Sequence, residues 1–375
     1  MSRGHFYARL EESDWKFVRR VASMQSFDAA IVKAPYLADY PESDSRHGQP
    51  TDRLTEALGE RGFSWALDPA TALFGHPRAA EWASPRARSC PMAAALPLPW
   101  DPGLIIGDDE AALELLSRAE AIQRNATAFS VPYLEVRKPG EGHLEANCSL
   151  IGMGAELAGD RRVLAYLQTL RGELLRGRAI EAARRMIAAG AQTIAIRIRS
   201  LRPESLEDIV AYLELVAFIE DRGVRAVADS VGLLGPTLVA GGADAFSSGA
   251  RYFQAVPKTL LSRWQEPDHH HEEDAEDRGG GRPILYQVPG TLIETPHQEL
   301  DDSVAACPVE GCKASAPGAG RRERRDHNLH DFKRRGREAA ALGYGYADVL
   351  RTLPGDRPAV WARALDQVAE RRRAV

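Results

Sequence analysis

The chain has 375 residues, 44% of them hydrophobic, a formal net charge of -5 and four cysteines. That length holds one barrel-sized domain or two smaller ones, and the acidic balance excludes a uniformly basic coat, so any nucleic-acid contact must be local. No apolar run approaches a membrane span, the start Met1-Ser2-Arg3-Gly4-His5 lacks a secretory leader's apolar stretch, and sparse cysteines fit a reducing compartment; the expectation is a cytoplasmic protein without membrane contact.

In chain order, Asp28–Pro35 predicts a short buried strand ended by proline, and Phe63–Pro69 a second with Asp68 at its C-terminal end. Residues 80–102, rich in proline and alanine, predict an irregular excursion. Asp109–Arg124 has helical spacing, with Leu113, Leu116 and Ala119 on one face. Phe129–Val136 reads as a strand interrupted by Pro132. Leu164–Ala189 reads as one helix with Gly190 at its C-cap. The strand Gln192–Ile198 follows, then a helix over Ser205–Asp221 with Ser205 as N-cap and Asp208 three residues on. Val224–Ser230 is the next strand, Pro236–Ala240 a short helix and Ala243–Phe246 a further strand. Residues 265–282 form an acidic loop around His269, His270 and His271; three consecutive histidines rarely converge on one ion. Pro283–Val288 then predicts a late strand, and Val360–Val368 an amphipathic helix.

Strands alternating with helices at this pitch predict parallel βα units, and their persistence over the chain favours a (β/α)8 TIM barrel over an open sheet. The barrel is expected over 1–300 and 338–375, with 301–337 a late inserted subdomain. Barrel active sites lie at the C-terminal ends of strands, which nominates Asp68, Tyr133 or Glu135, Arg197 or Arg199, Asp229 and Ser247. Asp68 and Asp229 read either as acid–base or nucleophilic carboxylates or as caps of the following segments. Glu135 and Arg137 share a face, as a catalytic acid with its partner or as a plain ion pair. No dinucleotide fingerprint, phosphate-binding P-loop or His-Glu-x-x-His motif is present, and Cys90 reads as an apolar filler.

The inserted segment carries distinct chemistry. Cys307, Cys312, His327 and His330 fall within 24 residues, and two thiolates with two imidazoles supply the four donors of a structural zinc site. Residues 321–337 hold eight Arg or Lys against three acids. Arg321, Arg322, Arg324, Arg325, Lys333, Arg334 and Arg335 therefore read either as a phosphate-gripping surface or as a solvated helix face.

Three stretches resemble the tRNA-guanine transglycosylase family and its relatives that modify DNA bases. They are the strand–helix–strand order of Ile194–Gly249 with Gly241-Gly-Ala-Asp-Ala-Phe-Ser-Ser248, the pair in Cys307-Pro-Val-Glu-Gly-Cys312, and His327-Asn-Leu-His-Asp-Phe332. The resemblance covers roughly residues 192–342. It implies a TIM barrel with a structural zinc subdomain, exchanging a base in tRNA or DNA for a deazaguanine-type base taken from a flipped-out nucleotide. A homodimer or a complex with other modification proteins is compatible with it. Three departures matter. Val309 stands where the family places its middle zinc cysteine; His330, one turn from His327, is one replacement donor, and the alternatives are a water ligand or a broken site. Ser247 stands at the nucleophilic aspartate, and a hydroxyl without a base cannot do a carboxylate's work at an oxocarbenium-like centre. Arg197 and Ile198 replace the glycine pair of the base pocket. Base exchange through Asp68 and Asp229 is the leading expectation; a non-catalytic nucleic-acid-binding relative and a barrel hydrolase of a small metabolite are the alternatives.

Overall fold

The computed structural model describes residues 3–10, 14–20, 22, 26–33, 50–72, 74–82, 92, 95–137, 140–249, 286–287, 294–295, 307, 312 and 321–374. Eight parallel strands form the sheet: β1 (His5–Leu10), β2 (Ala29–Lys33), β3 (Ser64–Asp68), β4 (Ala128–Ser130), β5 (Arg162–Leu170), β6 (Thr193–Arg199), β7 (Arg225–Ala228) and β8 (Ala245–Gly249). Their order is β3-β2-β1-β8-β7-β6-β5-β4, so first and last strands are neighbours. At the remaining seam the backbone N–H and hydroxyl of Thr127 both donate to the Trp65 carbonyl at 2.9 Å, bringing β4 against β3. The result is a nearly closed (β/α)8 barrel, the fold expected from the alternating elements.

Two apolar layers follow from strand alternation. Phe6, Ala8 and Leu10 of β1 and Ile194, Ile196 and Ile198 of β6 join the outer core beneath the helices. Tyr133, Leu164, Tyr166, Ala195, Val227 and Ala245 form a smaller core inside the barrel. Tyr133 and Tyr166 stack there with ring centroids 4.8 Å apart.

Two expected elements differ. Leu164–Leu170 is not helical but belongs to β5, and helices Arg171–Leu175 and Arg178–Ala188 follow, separated by Gly177 at φ +72°. Seven of the nine residues of β5 are buried, so both faces are covered and the alternation that marks a half-exposed strand is missing. Gly190, at φ +107°, does end the second helix: its N–H donates to the Ile187 carbonyl and that of Ala191 to Met186, a Schellman cap. Within 283–288 the described pair Tyr286–Gln287 lies antiparallel to Glu294–Thr295 in a separate two-stranded sheet, so it is not a barrel strand. Strand β1 was not foreseen. In the helix Asp109–Ile122, Leu115, Leu116, Ala112 and Ala119 are buried while Leu113 is exposed, shifting the buried face from that expected. The acidic loop, its histidines, Cys90 and Val309 lie outside the described residues.

The helix Arg321–Leu342 crosses the expected subdomain boundary at 337 and packs on the outside of β1 and β8. Phe332 sits 5.3 Å from Phe6 and 5.9 Å from Phe246, centroid to centroid. Gly336 fits mid-helix because a Cβ there would lie 2.7 Å from Phe246 and 2.9 Å from the Gly4 carbonyl.

Candidate active site and metal centre

Alternation sends Tyr7 and Arg9, Ala66 and Asp68, Ala195 and Arg197, and Ala245 and Ser247 toward the barrel axis in successive layers. TIM-barrel interiors are ordinarily filled by branched apolar side chains. Here the layer nearest the C-terminal ends is charged. Asp68 ends β3, Asp229 follows β7, Arg9 lies near the end of β1 and Arg197 near that of β6. The two carboxylates and two guanidinium groups form a ring of alternating sign. Arg9 donates to Asp229 at 2.6 Å and also to Asp68. Arg197 donates from Nη2 to Asp68 at 2.8 Å, and from Nε at 2.8 Å and Nη2 to Asp229. Tyr133 donates to Asp68 at 3.1 Å and accepts from Arg197 at 2.8 Å. The Ser247 hydroxyl donates to Asp229 and accepts from the Ser230 N–H at 2.9 Å.

The ring is closed to solvent: Asp68 and Asp229 are each 1% exposed, Arg9 4% and Arg197 7%. Burial pushes both carboxyls up, but the Arg197 and Arg9 guanidinium groups outweigh it and hold them below the ordinary carboxylate range. Neither is a proton donor at neutral pH. Burial raises the Tyr133 phenol well above its ordinary value, so it keeps its proton.

Toward the mouth lies a second charged group. Gln168 accepts from Arg197 at 3.2 Å and donates to Glu135 at 3.0 Å. Glu135 Oε1 also receives Arg137 at 2.7 Å and Arg199 at 2.8 Å. The backbone is unusual at this rim. The non-glycine residues with positive φ are Ala70 (+53°), Ser200 (+64°) and Ser230 (+60°) among those described. They stand directly after Asp68-Pro69, Arg199 and Asp229. Such positions cost on the order of 1–3 kcal/mol each and gather at functional sites.

Of the sequence-nominated residues, Asp68, Tyr133, Arg197, Asp229 and Ser247 join one network, with Glu135 and Arg199 in the adjoining one. Arg9 was missed. Its strand was unrecognised, and its signal was the polar residue at an inward position of Phe6-Tyr-Ala-Arg-Leu10. Asp244, on the opposite face from Ser247, accepts from the Ala226 N–H at 3.0 Å and is structural. A concavity of about 570 Å³ lined by Thr55, Glu56, Phe63, Trp65 and Thr127 opens at the N-terminal end of β3, away from the charged layer and with little reactive chemistry.

Of the six basic side chains described in the segment 321–337, four are turned inward. Arg324, Arg325, Lys333 and Arg335 are buried. Arg325 pairs with Asp14, Lys333 with Asp28 at 3.1 Å, and Arg335 with Asp331 at 2.7 Å. Arg325 also lies over the Phe17 ring, 4.4 Å from its centroid. Arg325 and Lys333 fasten the helix to the barrel wall, because Asp14 and Asp28 lie on the surface it covers. Arg334, its side chain 37% exposed, pairs with Asp331 at 2.8 Å. The side chains of Arg321 and Arg322 lie outside the description.

The four expected metal donors do converge. Cys307 Sγ lies 3.1 Å from His330 Nε2, Cys312 Sγ lies 3.5 Å from His327 Nδ1, and one donor atom from each of the four falls within 4.8 Å of the others. Zinc–sulfur and zinc–nitrogen bonds of about 2.3 and 2.0 Å imply a tetrahedral edge of roughly 3.5 Å. The donor set therefore fits a closed four-coordinate ion. His327 and His330 occupy the same helix three residues apart, which puts both rings on one face.

Fold and site together define a TIM barrel with a charged inner layer at its C-terminal end and a Cys/His cluster able to hold a metal ion beside it. No family model and no curated protein matches the chain. Among solved structures, it is similar to xylanase B from Clostridium stercorarium F9, at 13% identity over 67% of this chain and 87% of that one, with TM-score 0.37. It is also similar to the 3-dehydroquinate dehydratase from Aquifex aeolicus VF5, at 10% identity over 71% and 99%, with TM-score 0.33. Likenesses of that size carry no argument about chemistry. Among the described residues no helix is long and apolar enough to cross a membrane.

Proposed function

We propose that the chain is a glycosyl-exchange enzyme acting on a guanine or deazaguanine nucleotide in tRNA or DNA, in the manner of the transglycosylases it resembles. The observation that carries this is the Ser247–Asp229 hydrogen bond. Ser247 stands where the family has its nucleophilic carboxylate, and Asp229 of the neighbouring strand brings a carboxylate to that hydroxyl. Asp68 and Asp229 also accept from the same Arg197 nitrogen. Their accepting oxygens therefore lie within two hydrogen-bond lengths of each other, no farther apart than the ~5–5.5 Å of a retaining carboxylate pair.

In the proposed reaction an Asp229 oxygen attacks the anomeric carbon as the glycosidic C–N bond breaks and the departing base takes the bonding pair. The incoming base then displaces the carboxylate, and the proton its ring nitrogen gives up passes through solvent to the departed base. Ser247 orients Asp229, while Asp68 steadies positive charge on the sugar. Arg197, the most exposed ring member at 7%, must swing aside to admit the sugar. Zinc, held by Cys307, Cys312, His327 and His330, would be structural, fixing the start of the helix Arg321–Leu342. Arg321, Arg322 and the half-exposed Arg334 are the phosphate contacts this reading retains.

The test is incubation with tRNA and with duplex DNA, each with a labelled deazaguanine base, followed by nucleoside analysis. Label in either polymer supports exchange. A second reading, a non-catalytic binder, is favoured by the neutralisation of both carboxylates within a closed ring. It predicts salt-sensitive binding of the same polymers with no label incorporated.

A further inference from the structure

We propose that Arg137 and Arg199 form an oxyanion site at the barrel mouth that takes the phosphate of a nucleotide, a substrate class that rests on the glycosyl-exchange reading. Arg199 lies two residues beyond Arg197 on β6, hence one layer, roughly 6–7 Å, nearer the mouth. The ring below is balanced, two guanidinium groups against two carboxylates. The mouth group is not: Arg137 and Arg199 meet the single carboxylate of Glu135, a surplus of one positive charge.

Their donors are also in surplus. Each guanidinium has five N–H bonds, and each spends one nitrogen on Glu135 Oε1. Arg199 Nε is buried without a hydrogen-bond partner, and an unmet buried donor on a charged group is costly. Both side chains remain reachable, Arg137 at 19% and Arg199 at 21% exposure, while Glu135 is sealed at 1%. Two guanidinium groups fixed on one carboxylate oxygen converge, and their free edges suit bidentate capture of a phosphate. Glu135, itself held by Gln168, sets the spacing and competes with the ligand. Ser200, strained directly after Arg199, marks the same rim.

The test is calorimetric titration of the full chain with guanosine 5′-monophosphate, guanosine and inorganic phosphate. The monophosphate should bind more tightly than either of the others. Arg137→Gln and Arg199→Gln should each weaken it roughly tenfold or more, the loss of a charge-assisted contact. Glu135→Gln, which removes the competing charge and keeps the shape, should tighten it. If Arg199→Gln fails to fold by near-ultraviolet circular dichroism, Arg137→Gln, which gives up a single bond, decides the matter. Wild-type affinity in the variants, or equal affinity for guanosine and its monophosphate, overturns the site. Equal affinity for inorganic phosphate and the monophosphate overturns the nucleotide assignment. Because the readout is binding, the site stands or falls separately from base exchange.

Discussion

Asp229 accepts from Arg9, Arg197 and Ser247, and its protonation state is tied to stability. Asp68 and Asp229 have folded-state values depressed below the ordinary 3.8. A depressed carboxyl contributes stability that is fully present above its unfolded value and is lost as pH falls through the folded one. Unfolding free energy from the ring should therefore hold level from neutral pH to about 4 and drop below it. Urea titrations at stepped pH check this, and the Asp68→Asn variant should show a shallower acid decline. Removing one partner of a buried pair strands the other. Arg9→Leu should destabilise by about 3–5 kcal/mol, read from the urea midpoint. Asp68 and Asp229 were legible in the sequence because each stands where an apolar strand ends, the place barrel chemistry occupies. Arg9 was not, because nothing preceding β1 marks it as a strand.

The helix Arg321–Leu342 shows what composition conceals at the scale of an element. Its eight basic residues suggested a phosphate surface, yet Arg325, Lys333 and Arg335 face acids on the barrel or on the helix itself. Charge count does not say which face of a helix meets the protein. The metal donors were legible because cysteine is scarce, two of the four cysteines stand close to two histidines, and their chemistry is specific. Gly336→Ala separates helix propensity from packing. Propensity alone would gain about 1 kcal/mol, but the added methyl would press on Phe246 and on the Gly4 carbonyl. A net destabilisation of about 1–3 kcal/mol is expected in thermal or urea unfolding. Within 164–189 the helix reading holds from Arg171 on, and only 164–170 was misread, for a related reason: leucine and alanine on a strand buried on both sides mimic a helix.

At the scale of the molecule, strand β1 closes the barrel against β8, and the helix carrying His327 and His330 lies across that closure with Phe332 packed on Phe6 and Phe246. Metal removal should then loosen the last closure rather than the whole barrel. Elemental analysis should find one zinc per chain, and chelation should raise hydrogen exchange in the helix Arg321–Leu342 and in β1 before it does so in β5 and β6. Cys312→Ser should reproduce that pattern without chelator. The barrel itself was legible from the pitch of alternating elements. Its charged interior was legible only in part: Asp68, Arg197 and Asp229 stand at strand ends, but their closure into a ring with Arg9 does not follow from a pattern of polar and apolar residues.

Base exchange as proposed requires Asp229 to act as the nucleophilic carboxylate beside Ser247. Labelled-base incorporation into tRNA or duplex DNA, compared between the wild type and a folded Asp229→Ala variant under identical conditions, measures it directly. The account predicts incorporation by the wild type and a loss of roughly a thousandfold or more in the variant, the scale of a missing nucleophile. Equal incorporation by the two proteins, or none by the wild type with either polymer, would contradict it.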